Sequence, residues 1–189
     1  MKLTPGNRTL ASQIQDWYAL DIGFSSSKQS SGVYRTDKEE PQLKFYGELF
    51  EDIIDFVKKS TRAGLIIEAP LSCSFNSKGN PCGRSFEKQR TKTRYWFAGL
   101  GCAVMSAALF LLHKLHGDPD ASEIVLFEGF ISFKENPTRH EHDALTLYEN
   151  RKNVIDANQI CSASGGKLVG LTSLFGGMSE APGVIICRG

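Results

Sequence analysis

The order of its apolar runs and helical periodicities leaves this chain few architectures. Trp17 to Gly23 reads as a short buried strand, and the polar run Phe24 to Ser31 as a turn. Gly32 to Thr36 and Gln42 to Tyr46 alternate apolar and polar residues, as half-buried strands do. These three segments predict an antiparallel meander. Phe50, Ile53, Ile54 and Val57 recur at helical spacing and predict an amphipathic helix over Gly47 to Ser60. Gly64 to Glu68 is a buried strand ending on an acid. Ala69 to Gly83 holds two prolines, two glycines and two asparagines and reads as a loop. A long helix is expected from Phe86 or Thr91 to His116, where Gly117-Asp118-Pro119 stops it. Glu123 to Glu128 is a fifth strand. Arg139 to Asn150 is helical, with a second helix expected around Val154, Ile155 and Ile160. Ser162 to Gly177 reads as a loop and Gly183 to Cys187 as a last strand.

Three consecutive strands followed by alternating helices and strands imply an α/β domain, a mixed sheet flanked by helices. The helix between the third and fourth strands supplies the crossover. A chain of 189 residues with no internal repeat suits one domain over 1–189, with residues 1–15 expected as a flexible extension.

The net charge of +1 excludes a uniformly basic nucleic-acid binder, so attraction to phosphates must come from a local patch. Five widely spaced cysteines argue against a disulfide framework and for reduced thiols in a cytoplasmic protein. The N-terminus lacks the apolar core of a signal peptide. Trp96 to Leu112 is 17 residues without a formal charge, at the lower limit for a membrane span. Its many small residues and its place between soluble-type segments favour a buried or dimer-forming helix.

Three acids stand out by their placement. Asp21 lies inside an apolar strand, where an ionised carboxylate is costly unless paired, hydrogen-bonded or bound to metal. Glu68 ends another apolar strand. His140 and Asp143 open a helix on one face, with Ala144, Leu145 and Leu147 beyond them turned to the core. Hard oxygen ligands of this kind suit Mg²⁺ or Mn²⁺. Two such ions about 3.5–4 Å apart would activate a water and stabilise the leaving oxygen of a phosphodiester. His140 would ligate the second ion or move a proton. Taken singly, each residue also has a structural reading: a satisfied strand acid, a strand-end acid, an acid on a helix dipole.

Leu20-Asp21-Ile22-Gly23, a polar turn and Ser31-Gly32-Val33 resemble the first hairpin of the RNase H-like superfamily, especially its RuvC-like branch. Ile66-Ile67-Glu68 resembles that branch's second acid, and His140-Glu141-His142-Asp143-Ala144-Leu145 its terminal helix. The resemblance covers roughly residues 17–150. The chain is also similar to an uncharacterised bacterial and archaeal family of predicted RNase H-like nucleases. The shared features are Glu68-Ala69-Pro70-Leu71, Gly83-Arg84 with Arg90, and Glu128 after the fifth strand. The resemblance implies a five-stranded mixed sheet in the order 3-2-1-4-5 and a metal-dependent nuclease. It departs at His140, where the branch often has a fourth carboxylate. Glu128 remains open as a ligand, a partner to the ligands or a plain strand-end acid.

Lys78, Arg84, Lys88, Arg90, Lys92 and Arg94 lie within 17 residues and precede Tyr95, Trp96 and Phe97. Basic side chains hold phosphates, and aromatics stack on unpaired bases. Arg84, Arg90 and Lys78 are the expected backbone-phosphate contacts, while the aromatics read as core. A zinc site from Cys73, Cys82, His113 and His116 has poor spacing. The expectation is thus a Mg²⁺- or Mn²⁺-dependent nuclease acting on DNA or RNA, with Asp21, Glu68, Asp143 and His140 at its centre. The alternative is a non-cutting nucleic-acid-binding scaffold. A homodimer or a place in a larger nucleic-acid complex fits either reading.

Overall fold

A computed structural model describes residues 2–89, 92–93, 99–118, 123–134, 136–160, 167–171 and 180–188. In chain order its strands are β1 (Leu3–Pro5), β2 (Asp16–Asp21), β3 (Ser31–Arg35), β4 (Gln42–Lys44), β5 (Arg62–Glu68), β6 (Ser72–Phe75) and β7 (Pro81–Cys82). There follow β8 (Lys88–Gln89), β9 (Lys92–Thr93), β10 (Glu123–Ser132), β11 (Val154–Ile155), β12 (Lys167–Gly170) and β13 (Val184–Arg188). The helices are α1 (Arg8–Gln13), α2 (Leu49–Val57), α3 (Leu100–His116) and α4 (His140–Glu149).

The main sheet runs β11-β13-β10-β5-β2-β3-β4, with β1 paired to β10 as an eighth strand. The β2-β3-β4 meander is antiparallel. β2, β5, β10 and β13 are mutually parallel. The fold is α/β, a mixed sheet with helices on its faces.

Strand alternation sorts the side chains between two cores. Leu20, Leu65, Ile67 and Leu126 pack with Leu49, Ile53 and Val57 of α2 and Leu111, Leu112 and Leu115 of α3. Trp17, Ala19, Ile66 and Phe127 face the other way and pack with Leu147 of α4. Leu147 is fully buried and would sit within 2.6 Å of a Cβ added at Gly129, so strand and helix meet closely there. Leu147→Ala should cost about 2–5 kcal/mol in urea unfolding, the range for emptying such a position.

Several expectations change. The sheet has eight strands, not five, because both ends of the chain join one edge of β10. β1 pairs with residues 124–126 of β10, and β13 takes over from Glu128 to Ser132. Gly6 joins the two stretches: its amide donates to Leu126 O at 2.8 Å and its carbonyl accepts from Gly183 N at 2.7 Å. Segment 1–15, expected to trail as a flexible extension, therefore supplies a strand and a capped helix. The loop expected over 69–83 contains β6 and β7, which form a second sheet with β12. Lys88–Gln89 pairs with Lys92–Thr93, so the long helix begins at Leu100. Val154 and Ile155 form a strand against Ile185 and Val184 instead of a helix, as their β-branched side chains favour.

The buried face of α3 is Ala108, Leu111, Leu112 and Leu115, while Leu100 and Phe110 are exposed. Among the described residues, no helix is long and apolar enough to cross a membrane. Residues 96–98 of the expected apolar stretch lie outside the described residues.

Candidate metal centre

Asp21 and Glu68 are the last residues of β2 and β5, and they are direct partners in the parallel register of the two strands. Parallel partners present their side chains to the same side of a sheet, so both carboxyls face α4. Asp143 comes down from the first turn of α4 and is itself buried. One ligand atom from each of the three lies within 4.8 Å of the others.

Gly32 brings the helix this close. It is the β3 partner of Asp21, and a Cβ there would lie 1.9 Å from the His140 carbonyl oxygen. The start of α4 rests directly on the β3 backbone, and only glycine leaves room for it. Gly32→Ala should lift the helix and weaken Mn²⁺ binding by about 10–100-fold, the scale for losing support around ligands, as read by calorimetry.

His140 Nδ1 lies 2.6 Å from Asp21 Oδ2. That hydrogen bond raises the His140 pKa above its ordinary value, against the opposing effect of burial. Asp143 has two further partners that the sequence did not single out. Thr138 Oγ donates to Asp143 Oδ1 at 2.5 Å, and Lys134 Nζ donates to Asp143 Oδ2. Thr138 lies one residue before the N-cap Arg139 and makes no cap bond, so no sequence signal points to it. Lys134 follows an apolar strand and carries no pattern of its own.

Burial, reinforced by the charge of Asp21, pushes the Glu68 pKa well above its ordinary value. Folded Glu68 thus keeps its proton to higher pH than unfolded Glu68 does. Its contribution to stability is fully present below the ordinary glutamate range and is lost as pH rises through the raised folded value. The melting temperature of the metal-free protein should fall across that window, and Glu68→Gln should flatten the fall. A cation that binds the ionised carboxyl displaces the proton. Calorimetry in buffers of different ionisation enthalpy would read that release.

Glu128 is not part of the cluster. It pairs in register with Ile67 and so faces the opposite side of the sheet from Glu68. It is fully buried and accepts from the backbone amides of Leu71 and Ser72 at 3.0 and 3.1 Å. Arg84, expected to touch phosphate, is consumed by the same network. Its Nη1 reaches Glu128 Oε2 at 2.8 Å and Ser72 Oγ at 2.7 Å, and its Nε and Nη2 reach Glu87 Oε1. The guanidinium is 2% exposed and also stacks on Phe86, 4.5 Å from the ring centroid. Its role is to anchor the segment that follows Glu68, because a buried arginine must be paired wherever it sits. Lys78 is exposed on the turn between β6 and β7. Arg90 and the aromatics Tyr95, Trp96 and Phe97 lie outside the described residues.

A set of three carboxylates with oxygens this close fits a hard divalent cation. No family model, curated protein or solved structure matches this chain.

Proposed function

We propose that this protein is a divalent-metal-dependent phosphodiester hydrolase with an RNase H-like architecture, acting on DNA or RNA. The observation that carries the reading is the convergence of Asp21, Glu68 and Asp143 from two parallel strand ends and one helix. The succession β4-β3-β2-β5-β10 within the sheet supports the architecture, since it is the strand order that the sequence resemblance implies. Fold by itself does not establish activity, so the weight rests on the site.

Asp21, Glu68 and Asp143 would hold Mg²⁺ or Mn²⁺, with Asp21 between its two acidic neighbours. Bound there, the metal supplies a more acidic water and charge stabilisation for the leaving oxygen. His140, hydrogen-bonded to Asp21 and half-exposed, is placed to hold and pass a proton at Nδ1 or Nε2. Thr138 fixes the Asp143 carboxylate by occupying one of its oxygens. The phosphate contacts remain with residues other than Arg84.

A panel of labelled branched, duplex and single-stranded DNA and RNA, with Mg²⁺ or Mn²⁺ and with chelator, tests the reading. Metal-dependent cleavage of at least one class, lost in Glu68→Gln, is the expected result. Binding of the panel without cleavage under any metal would favour the second reading, a nucleic-acid scaffold. That alternative draws on the ammonium of Lys134, which already satisfies one acid without an ion.

A further inference from the structure

Lys134 reaches Asp143 from an unusual piece of backbone. β10 continues three residues past Gly129, the register partner of Glu68, and ends at Ser132. Phe133 then takes φ 62, the only positive φ outside glycine among the described residues. A bulky aromatic rarely adopts the left-handed region. Phe133 is held there against Phe130, with ring centroids 6.3 Å apart. Lys134 follows directly, and its Nζ reaches Asp143 Oδ2 and Thr138 Oγ, the latter at 2.7 Å. The Lys134 side chain is about a quarter exposed and Asp143 is buried, so the pair lies at the lip of the cluster.

We propose that the Lys134 ammonium, held on Asp143, stands in for a second cation beside the cluster, so that the protein binds a single divalent ion. The inference rests on the metal-dependent reading above and deepens it. Charge balance is the argument. Three ionised carboxylates carry three negative charges. One divalent ion together with the Lys134 ammonium balances them. A second divalent ion beside Lys134 leaves an excess of two positive charges. Like charges a few ångströms apart in a partly buried site repel by several kcal/mol. His140, the further side chain on Asp21, supplies no negative charge against that excess. Lys134 is a site residue in this account, held on Asp143 and Thr138.

The test is the Mn²⁺ stoichiometry of the full chain, by calorimetry and by the spin signal of free Mn²⁺, with circular dichroism to check the fold. The native protein should bind one ion per chain. Lys134→Met should bind two, and Lys134→Gln serves if the methionine variant does not fold. Lys134→Arg should return the count to one. A native count of two, or a count other than two in the neutral variants, overturns the role of Lys134 and leaves metal binding standing. No Mn²⁺ binding by the native chain overturns the metal reading and this inference together.

Discussion

Asp21→Asn should abolish Mn²⁺ binding and reduce metal-dependent cleavage by roughly 10³-fold or more, the scale of losing a charge-stabilising group at a reacting centre. The substitution removes the central charge of the cluster but changes almost no volume, and Asp21 is buried at the end of β2. The metal-free variant should be no less stable than the parent. In the parent, Asp21 stands beside Glu68, whose carboxyl is already driven to keep its proton by burial and by the charge of Asp21. The amide oxygen still accepts from the protonated Glu68 carboxyl and no charge is buried there, which offsets the weaker contact with His140. The melting temperature should hold or rise by about 2–4 °C, what 1 kcal/mol amounts to in a domain of this size. Saturating Mn²⁺ should raise the melting temperature of the parent and leave that of the variant unchanged, since only the folded parent binds the ion. Cleavage by Asp21→Asn at the parental rate, with the same metal requirement, would show that the three acids are not the reacting centre.

The second large effect is on stability. Arg84→Met should destabilise the protein by about 3–5 kcal/mol in urea unfolding. The substitution strands two carboxylates, Glu87 and Glu128, that are 1% and 0% exposed and lean on one guanidinium. Burial already pushes the Glu128 pKa up despite its arginine and its two backbone amides. Without Arg84 the protein must protonate both acids or open the segment after Glu68. The triple change Arg84→Met, Glu87→Gln, Glu128→Gln should recover more than half of the loss, because neutral amides need no counter-charge. If Arg84→Met were as stable as the parent, the network would be ornamental and the arginine free for another task. Nucleic-acid affinity should be unchanged in any Arg84 variant that stays folded.

The contrast between Arg84 and Lys134 shows how far residues reveal themselves along the chain. Arg84 lies in a basic stretch after Glu68, and a cluster of Lys and Arg reads as a phosphate surface. It is an inward anchor because two acids, one three residues away and one on β10, meet it in space. Lys134 has no patterned neighbours, yet it reaches Asp143, because the end of β10 and the start of α4 meet in space. Glu128 was open for a related reason. Its place after an apolar strand suits a ligand or an anchor equally, and only the register with Ile67 puts it on the far side of the sheet. The short strands β6, β7, β11 and β12 were hidden too. Two to four residues are too few to show a period, and they are strands only because a partner from elsewhere in the chain supplies the hydrogen bonds.

What the residues determined alone is the apolar runs that made Trp17–Gly23 and Gly64–Glu68 strands, the helical period of α2, and three acids at the borders of apolar elements. Those follow from local chemistry, because side-chain period and the cost of burying charge are properties of neighbours in sequence. What the tertiary structure decided is that Asp21 and Glu68 share one register, that Gly32 lets α4 lower Asp143 onto them, and that a lysine joins them while an arginine does not. Register and side are set by long-range pairing, where moving one strand by a single residue turns every side chain to the opposite face.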